Sequence, residues 1–230
     1  MPEMSPSKLI AGIISNIAIF GVLLFVPAGT LNWWRAWIFL SVLAIATVAS
    51  TISIYRVNKA VLEERFKSPL QKGQPLVDKI IVTLFLTEFA GLIVFIPLDV
   101  FRFQFTRPPG PFVSLLGLVL FIAGWWIITL TLQENAFAAP AVRHLADKHQ
   151  TVIDTGVYSL VRHPMYAGVV PLLIGMSLWL QSFTTALLAI APITTLAVRI
   201  YFEEDFLRRE LKGYEEYTRR VHYRLLPFVW

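Results

Sequence analysis

Four stretches of this chain carry so little charge that water cannot be their solvent. Residues 9–27, 36–55 and 112–132 contain no charged side chain, and residues 80–98 contain one, Glu88. A helix rises 1.5 Å per residue, so about 20 apolar residues cross the ~30 Å hydrocarbon layer. Two further apolar runs, 165–180 and 184–198, are shorter and are separated only by Gln181, Ser182 and Phe183. That gap predicts a tight helical hairpin whose second arm continues past Arg199 to Phe202. Lipid requires each spanning segment to satisfy its own backbone polar groups, which favours helices here. A barrel would show short alternating segments, and the chain has none. The fold expected is therefore all-α, a polytopic transmembrane helical bundle of about six spans.

Composition agrees. Of 230 residues, 56% are hydrophobic and only 15% are charged, where soluble domains carry about a quarter. The chain has no cysteine, which excludes disulfides, thiolate metal sites and cysteine nucleophiles. The net charge of +5 is explained by loops facing anionic lipid and does not call for nucleic acid. With the N-terminus inside, seventeen of the twenty Lys and Arg residues fall in segments on one side of the membrane. This bias predicts a multi-pass protein with both termini cytoplasmic, in a bacterial inner membrane or an endomembrane. The first apolar run is expected to be a retained span, since no small-residue cleavage site follows it. The tryptophans at 33, 34, 37, 125, 126 and 179 suit aromatic belts at the interfaces. No repeat or linker interrupts the chain. It divides into residues 1–132, four spans with a cytoplasmic loop at 56–79, and a polar-rich part at 133–230.

Chemistry-bearing residues gather in that second part. The segment before residue 164 is about 30 residues long, more than a connector needs. It holds Asn135, His144, Asp147, His149, Asp154, Gly156, Tyr158, Arg162 and His163. Asp154-Thr155-Gly156 reads as a turn. Pro164 suits the first position of a helix, and the unpaired N–H groups there can hold a carboxylate or phosphate beside Arg162 and His163. The same two cations would also serve as plain headgroup anchors. His144 and His149 are five apart, off the spacing that pairs ligands on a helix, and no metal is expected. Residues 199–228 read as a charged amphipathic helix continuing the last span. Arg199, at the edge of the apolar run, needs a partner, and Glu203 and Glu204 are nearest in sequence. Glu88 lies mid-span, either touching a substrate or hydrogen-bonded within the bundle.

The order DTGVYSLVRHPMYAG, apolar hairpin, E-E, then GYEEYTRRV and a late Leu-Pro resembles the isoprenylcysteine carboxyl methyltransferase and phospholipid methyltransferase group of integral membrane enzymes. The resemblance covers about residues 131–228; residues 1–130 match as hydropathy only. It implies an S-adenosylmethionine-dependent methyltransferase acting on a lipophilic small molecule or lipid through a carboxylate, amine or hydroxyl. The second part, 133–230, would then be the methyltransferase core, with a cytoplasmic cofactor loop and a C-terminal amphipathic helix. Carried over by motif, Tyr158, Arg162, His163, Pro164, Tyr166, Gly168, Glu203 and Tyr217 would line the cofactor site. Arg199 and Glu204 would act on the acceptor as a pair. The family often has Val-Pro where this chain has Val221-His222. The competing reading is a transporter or channel with a path lined by Glu88 and Arg199. The partners implied are the bilayer and a lipophilic acceptor.

The charge bias makes a direct prediction about topology. Reporter fusions after Phe183 should read outside and fusions at the C-terminus should read cytoplasmic. The reverse pattern at both positions would overturn the orientation.

Overall fold

A computed structural model describes residues 6–65, 68–71, 73–135 and 151–230. Among these residues the chain is helical, with no strand. The helices are α1 (Pro6–Ala28), α2 (Trp34–Val57), α3 (Lys59–Arg65), α4 (Leu76–Leu98), α5 (Pro111–Glu134), α6 (Pro164–Trp179), α7 (Phe183–Leu188), α8 (Ile190–Glu210) and α9 (Tyr214–Arg220). A π-helical turn, Asp99–Phe103, extends α4, and a 3₁₀ turn, Gly156–Ser159, precedes α6. His144, Asp147 and His149 lie outside the described residues.

Five of these segments are long and apolar enough to cross a membrane: Ser7–Ala28, Trp34–Val57, Leu76–Phe103, Pro111–Glu134 and Phe183–Glu210. The sixth expected span, α6, has only 16 residues. At 1.5 Å each it covers about 24 Å. It nevertheless joins the same two levels as α4. Near its start, Tyr166 lies under Arg199, which binds Asp78 in the first turn of α4. Just past its end, Ser182 donates to Asp99, just past the end of α4.

The core is built where α1, α2, α4, α5 and α6 meet. Leu24, Phe39, Leu43, Ile93, Phe121, Leu173 and Met176 are fully enclosed there. Ile14, Val26, Ile45 and Leu187 point outward, as lipid-facing side chains do.

The tightest crossing is α5 against α6, and glycine makes it. Gly117 and Gly124 on α5 meet Gly175 and Gly168 on α6, running antiparallel. A methyl group on Gly175 would lie 2.4 Å from Phe121 N and 2.5 Å from Gly117 O. One on Gly168 would lie 2.7 Å from Gly124 O. In lipid, small residues of this kind let backbones approach and let dispersion hold the helices together. Gly168, marked in the sequence for the site, turns its open side to α5, where it serves packing.

The far end of the bundle is held separately. Arg35 donates to the Trp179 carbonyl at 3.1 Å, and Trp179 Nε1 donates back to the Arg35 carbonyl at 3.0 Å. The guanidinium sits over the Trp34 and Trp179 rings, 4.7 and 4.9 Å from their centroids. Nearby elements are fixed by Asp99, which accepts from Ser182 Oγ at 2.6 Å and Phe105 N–H at 3.1 Å. Ser182 also caps α7 by accepting from Thr185 N–H.

Gly175→Val should therefore destabilise the bundle by about 1–3 kcal/mol, the range for overpacking. Gly91, with nothing within 4 Å of an added Cβ, is the control. Thermal unfolding in detergent should show a lowered midpoint for Gly175→Val and little change for Gly91→Ala.

Candidate functional site

The DTG turn starts the site. Gly156 has φ +52, and an added Cβ would fall 2.1 Å from Glu134 Oε1. The left-handed backbone favours glycine there, and the open space is taken up by the Glu134 carboxylate. Glu134 in turn accepts from Thr155 Oγ1, which fastens the turn to the end of α5. The chain then delivers Tyr158, Arg162 and His163 into the interior, and Pro164 opens α6.

Glu204 of α8 is the centre of this interior. It is 3% exposed, deep enough that its charge must be met by partners. Arg162 Nε donates to Oε1 at 2.7 Å, and His163 Nε2 lies 3.3 Å from the same oxygen. Arg224 Nε donates to Oε2 at 3.1 Å. Arg162 also donates through Nη1 to the carbonyls of Val221 and His222, at 2.7 and 2.8 Å. The backbone adds two rungs: Arg162 N–H to Tyr223 O and His163 N–H to Arg224 O, both 2.9 Å. Residues 221–224 are thus laced along the 162–163 turn. Arg224 is further covered by the rings of Tyr201 and Trp230, at 5.0 and 5.4 Å.

A second set of contacts lies beside the first turn of α6. Tyr166 OH donates to Glu203 Oε2 at 2.6 Å, and the His163 and Tyr166 rings stack at 5.7 Å. Arg199 lies 5.9 Å above the Tyr166 ring. Its Nε donates to Asp78 Oδ1 at 3.0 Å, and Asp78 Oδ2 accepts from Gln74 Nε2 at 2.5 Å. Arg65, the last residue of α3, reaches the Met165 sulfur.

The tail contributes aromatic walls. Tyr217 OH donates to the Tyr158 carbonyl at 2.7 Å, and Tyr158 OH accepts from Asn135 at 2.9 Å. Tyr214 OH is buried with no partner among the described residues. Burial pushes the Tyr158 phenol up to about 12 and pushes Tyr214 and Tyr217 upward as well. All three therefore stay protonated near neutral pH and do not serve as bases.

Eight of the ten side chains marked in the sequence gather at this end of the bundle: Tyr158, Arg162, His163, Tyr166, Arg199, Glu203, Glu204 and Tyr217. Of the other two, Pro164 starts α6 and Gly168 packs on α5. The partnerships differ from expectation. Arg199 is held by Asp78 of α4, not by Glu204. Arg162 and His163 face Glu204, so their polar atoms are not simply open to a carboxylate. Sequence reasoning missed Asp78, Gln74, Arg65 and Arg224; Tyr214 it placed only in the tyrosine-bearing tail. A signal existed for Asp78, an acid at the mouth of an apolar run, where a buried cation would need it. Glu88 lies ten residues further along α4, about 15 Å deeper, with Oε2 buried and unpartnered among the described residues.

Comparison with known proteins bears on this region. The phospholipid methyltransferase family pattern matches residues 112–213, from α5 to the residue before α9. Two curated relatives carry the name probable protein-S-isoprenylcysteine O-methyltransferase, from Oryza sativa subsp. indica and Oryza sativa subsp. japonica. Each is 34% identical over 122 residues, covering 51% of this chain and 63% of the relative. The chain thus spans a little under two thirds of the length of the curated relatives it matches.

Glu204→Gln would leave buried guanidinium groups without their anion, at a cost of about 3–5 kcal/mol. The tail should loosen from the turn. Hydrogen exchange at the Arg162 and His163 amides should accelerate in Glu204→Gln and stay near wild type in Glu203→Gln. Equal exchange in both variants would show that Glu204 is not the tie.

Proposed function

We propose that this membrane-embedded chain, whose residues 112–213 carry the phospholipid methyltransferase pattern, is an S-adenosylmethionine-dependent methyltransferase for a lipophilic acceptor. The observation that carries the reading is a convergence. The R-H-P turn, Glu203-Glu204 and a tyrosine-bearing tail meet at one end of a transmembrane bundle, with a buried phenol that has no partner among the described residues. We read this end as cytoplasmic from the Lys and Arg bias.

The residues fit the proposed donor. S-adenosylmethionine supplies a methyl group on a cationic sulfur, ready for in-line displacement. Glu203 and the faces of Tyr166 and His163 suit a cation. The unpartnered Tyr214 OH suits an acceptor atom of the ribose or base. Arg162 and His163 contribute by holding Glu204 and the tail, which closes the site from water. In-line displacement depends on alignment in a dry pocket, and a rigid wall supplies both.

The arrangement also bears on the acceptor. A carboxylate can attack without losing a proton, whereas a hydroxyl or ammonium group needs a base. Both oxygens of Glu204 are engaged by cations, which suits a positioning role and weakens it as a base. The tyrosines are protonated. Glu203 is the remaining carboxylate beside Tyr166, and it already accepts a hydrogen bond. We therefore favour a carboxylate acceptor oriented by Arg199.

Purified protein in detergent should bind S-adenosylmethionine in a calorimetric titration. Tyr214→Phe should keep the fold and weaken that binding about three- to tenfold, the worth of one neutral hydrogen bond. Absence of binding by the wild-type protein would overturn the reading.

A further inference from the structure

Arg65 has no counter-charge among the described residues. Its Nε is buried without a hydrogen-bond partner, and Nη2 reaches only the Met165 thioether, a weak acceptor. Burial lowers its basicity. A guanidinium in this state is costly to the fold unless something supplies an anion.

The surroundings point in one direction. Arg65 arrives from α3 and Arg199 from α8, and both converge on the first turn of α6, at Met165 and Tyr166. The acids nearby are already engaged: Asp78 with Arg199 and Gln74, Glu203 with Tyr166, Glu204 with Arg162 and Arg224. Against these three carboxylates stand four arginines at 65, 162, 199 and 224. Among the described residues one positive charge is left over, and Arg65 is the arginine with no carboxylate partner there.

We infer that Arg65 and Arg199 frame a carboxylate subsite at the start of α6, with Arg65 as its anion-binding residue. The inference rests on the proposed function for its choice of ligand. A guanidinium offers a planar fork of N–H donors that matches a carboxylate in shape as well as charge. Two molecules could bring that carboxylate: the methionine end of the methyl donor, or a lipophilic acid as acceptor.

The test uses the full-length protein in detergent micelles and four probes in calorimetric titration. These are S-adenosylmethionine, its decarboxylated analogue, an S-farnesylated N-acetylcysteine, and the methyl ester of that acid. Arg65→Gln should weaken one carboxylate-bearing probe about ten- to hundredfold while leaving its carboxylate-free counterpart unchanged. Loss confined to S-adenosylmethionine assigns the subsite to the donor. Loss confined to the farnesylated acid assigns it to the acceptor. Arg65→Lys, which keeps the charge and loses the fork, should fall between wild type and Arg65→Gln, and it carries the test if the glutamine variant does not fold. Unchanged affinity for both acids overturns the inference, as does equal weakening of a probe and its carboxylate-free counterpart. Wild-type protein that binds the farnesylated acid but not S-adenosylmethionine would overturn the methyltransferase reading and leave the subsite standing. Binding of neither would overturn both.

Discussion

The site end of this structure depends on one carboxylate having enough partners. Glu204 is enclosed, and an enclosed carboxylate is stable only where cations and donors replace its water. Arg162 and His163 come from the turn before α6, and Arg224 comes from the tail. Three segments far apart in sequence are thereby fixed at one point. The helix-start position of Pro164 follows, and with it the line along which α6 descends against the glycines of α5.

Helix geometry explains why the E-E pair divides its work. Consecutive residues on a helix point about 100° apart, so Glu203 and Glu204 cannot serve one pocket equally. Arg199 and Glu203 are four apart and share a face; Arg199 and Glu204 are five apart and do not. Glu204 therefore turns to the arginines of the turn and tail. Arg199 shares the side on which α4 presents Asp78 and α6 presents Tyr166.

The spans were legible because a bilayer imposes one strong rule on apolar runs, and this chain obeys it over residues 9–27, 36–55, 80–98 and 112–132. The hairpin break at Gln181-Ser182 was legible for the same reason. The site was legible as a set of residues, because polar side chains stand out in an apolar chain. Their partners were not. Asp78 lies 121 residues from Arg199 and Arg65 lies 100 from Met165, and only the crossing of α4 and α8 brings Asp78 to Arg199. Gly168 was read as part of the site because it sits in the motif. Its packing neighbour, Gly124, becomes visible only when seven-residue glycine spacing is noticed on two helices at once.

The same facts separate stability from chemistry at this end of the bundle. Glu204 has both oxygens engaged, and freeing one would unfasten the tail; it cannot easily also exchange protons with an acceptor. Asp78 is bound to Arg199 and Gln74 and so fixes the direction of the Arg199 fork. What remains adjustable at this end, among the described residues, is Arg65, with an unpaired nitrogen, and Tyr214, with an unpaired hydroxyl. A site whose acids are spoken for and whose loose groups are donors is suited to holding an anion and aligning it. It is poorly suited to removing protons. The methyl transfer to a carboxylate proposed above asks for alignment and exclusion of water.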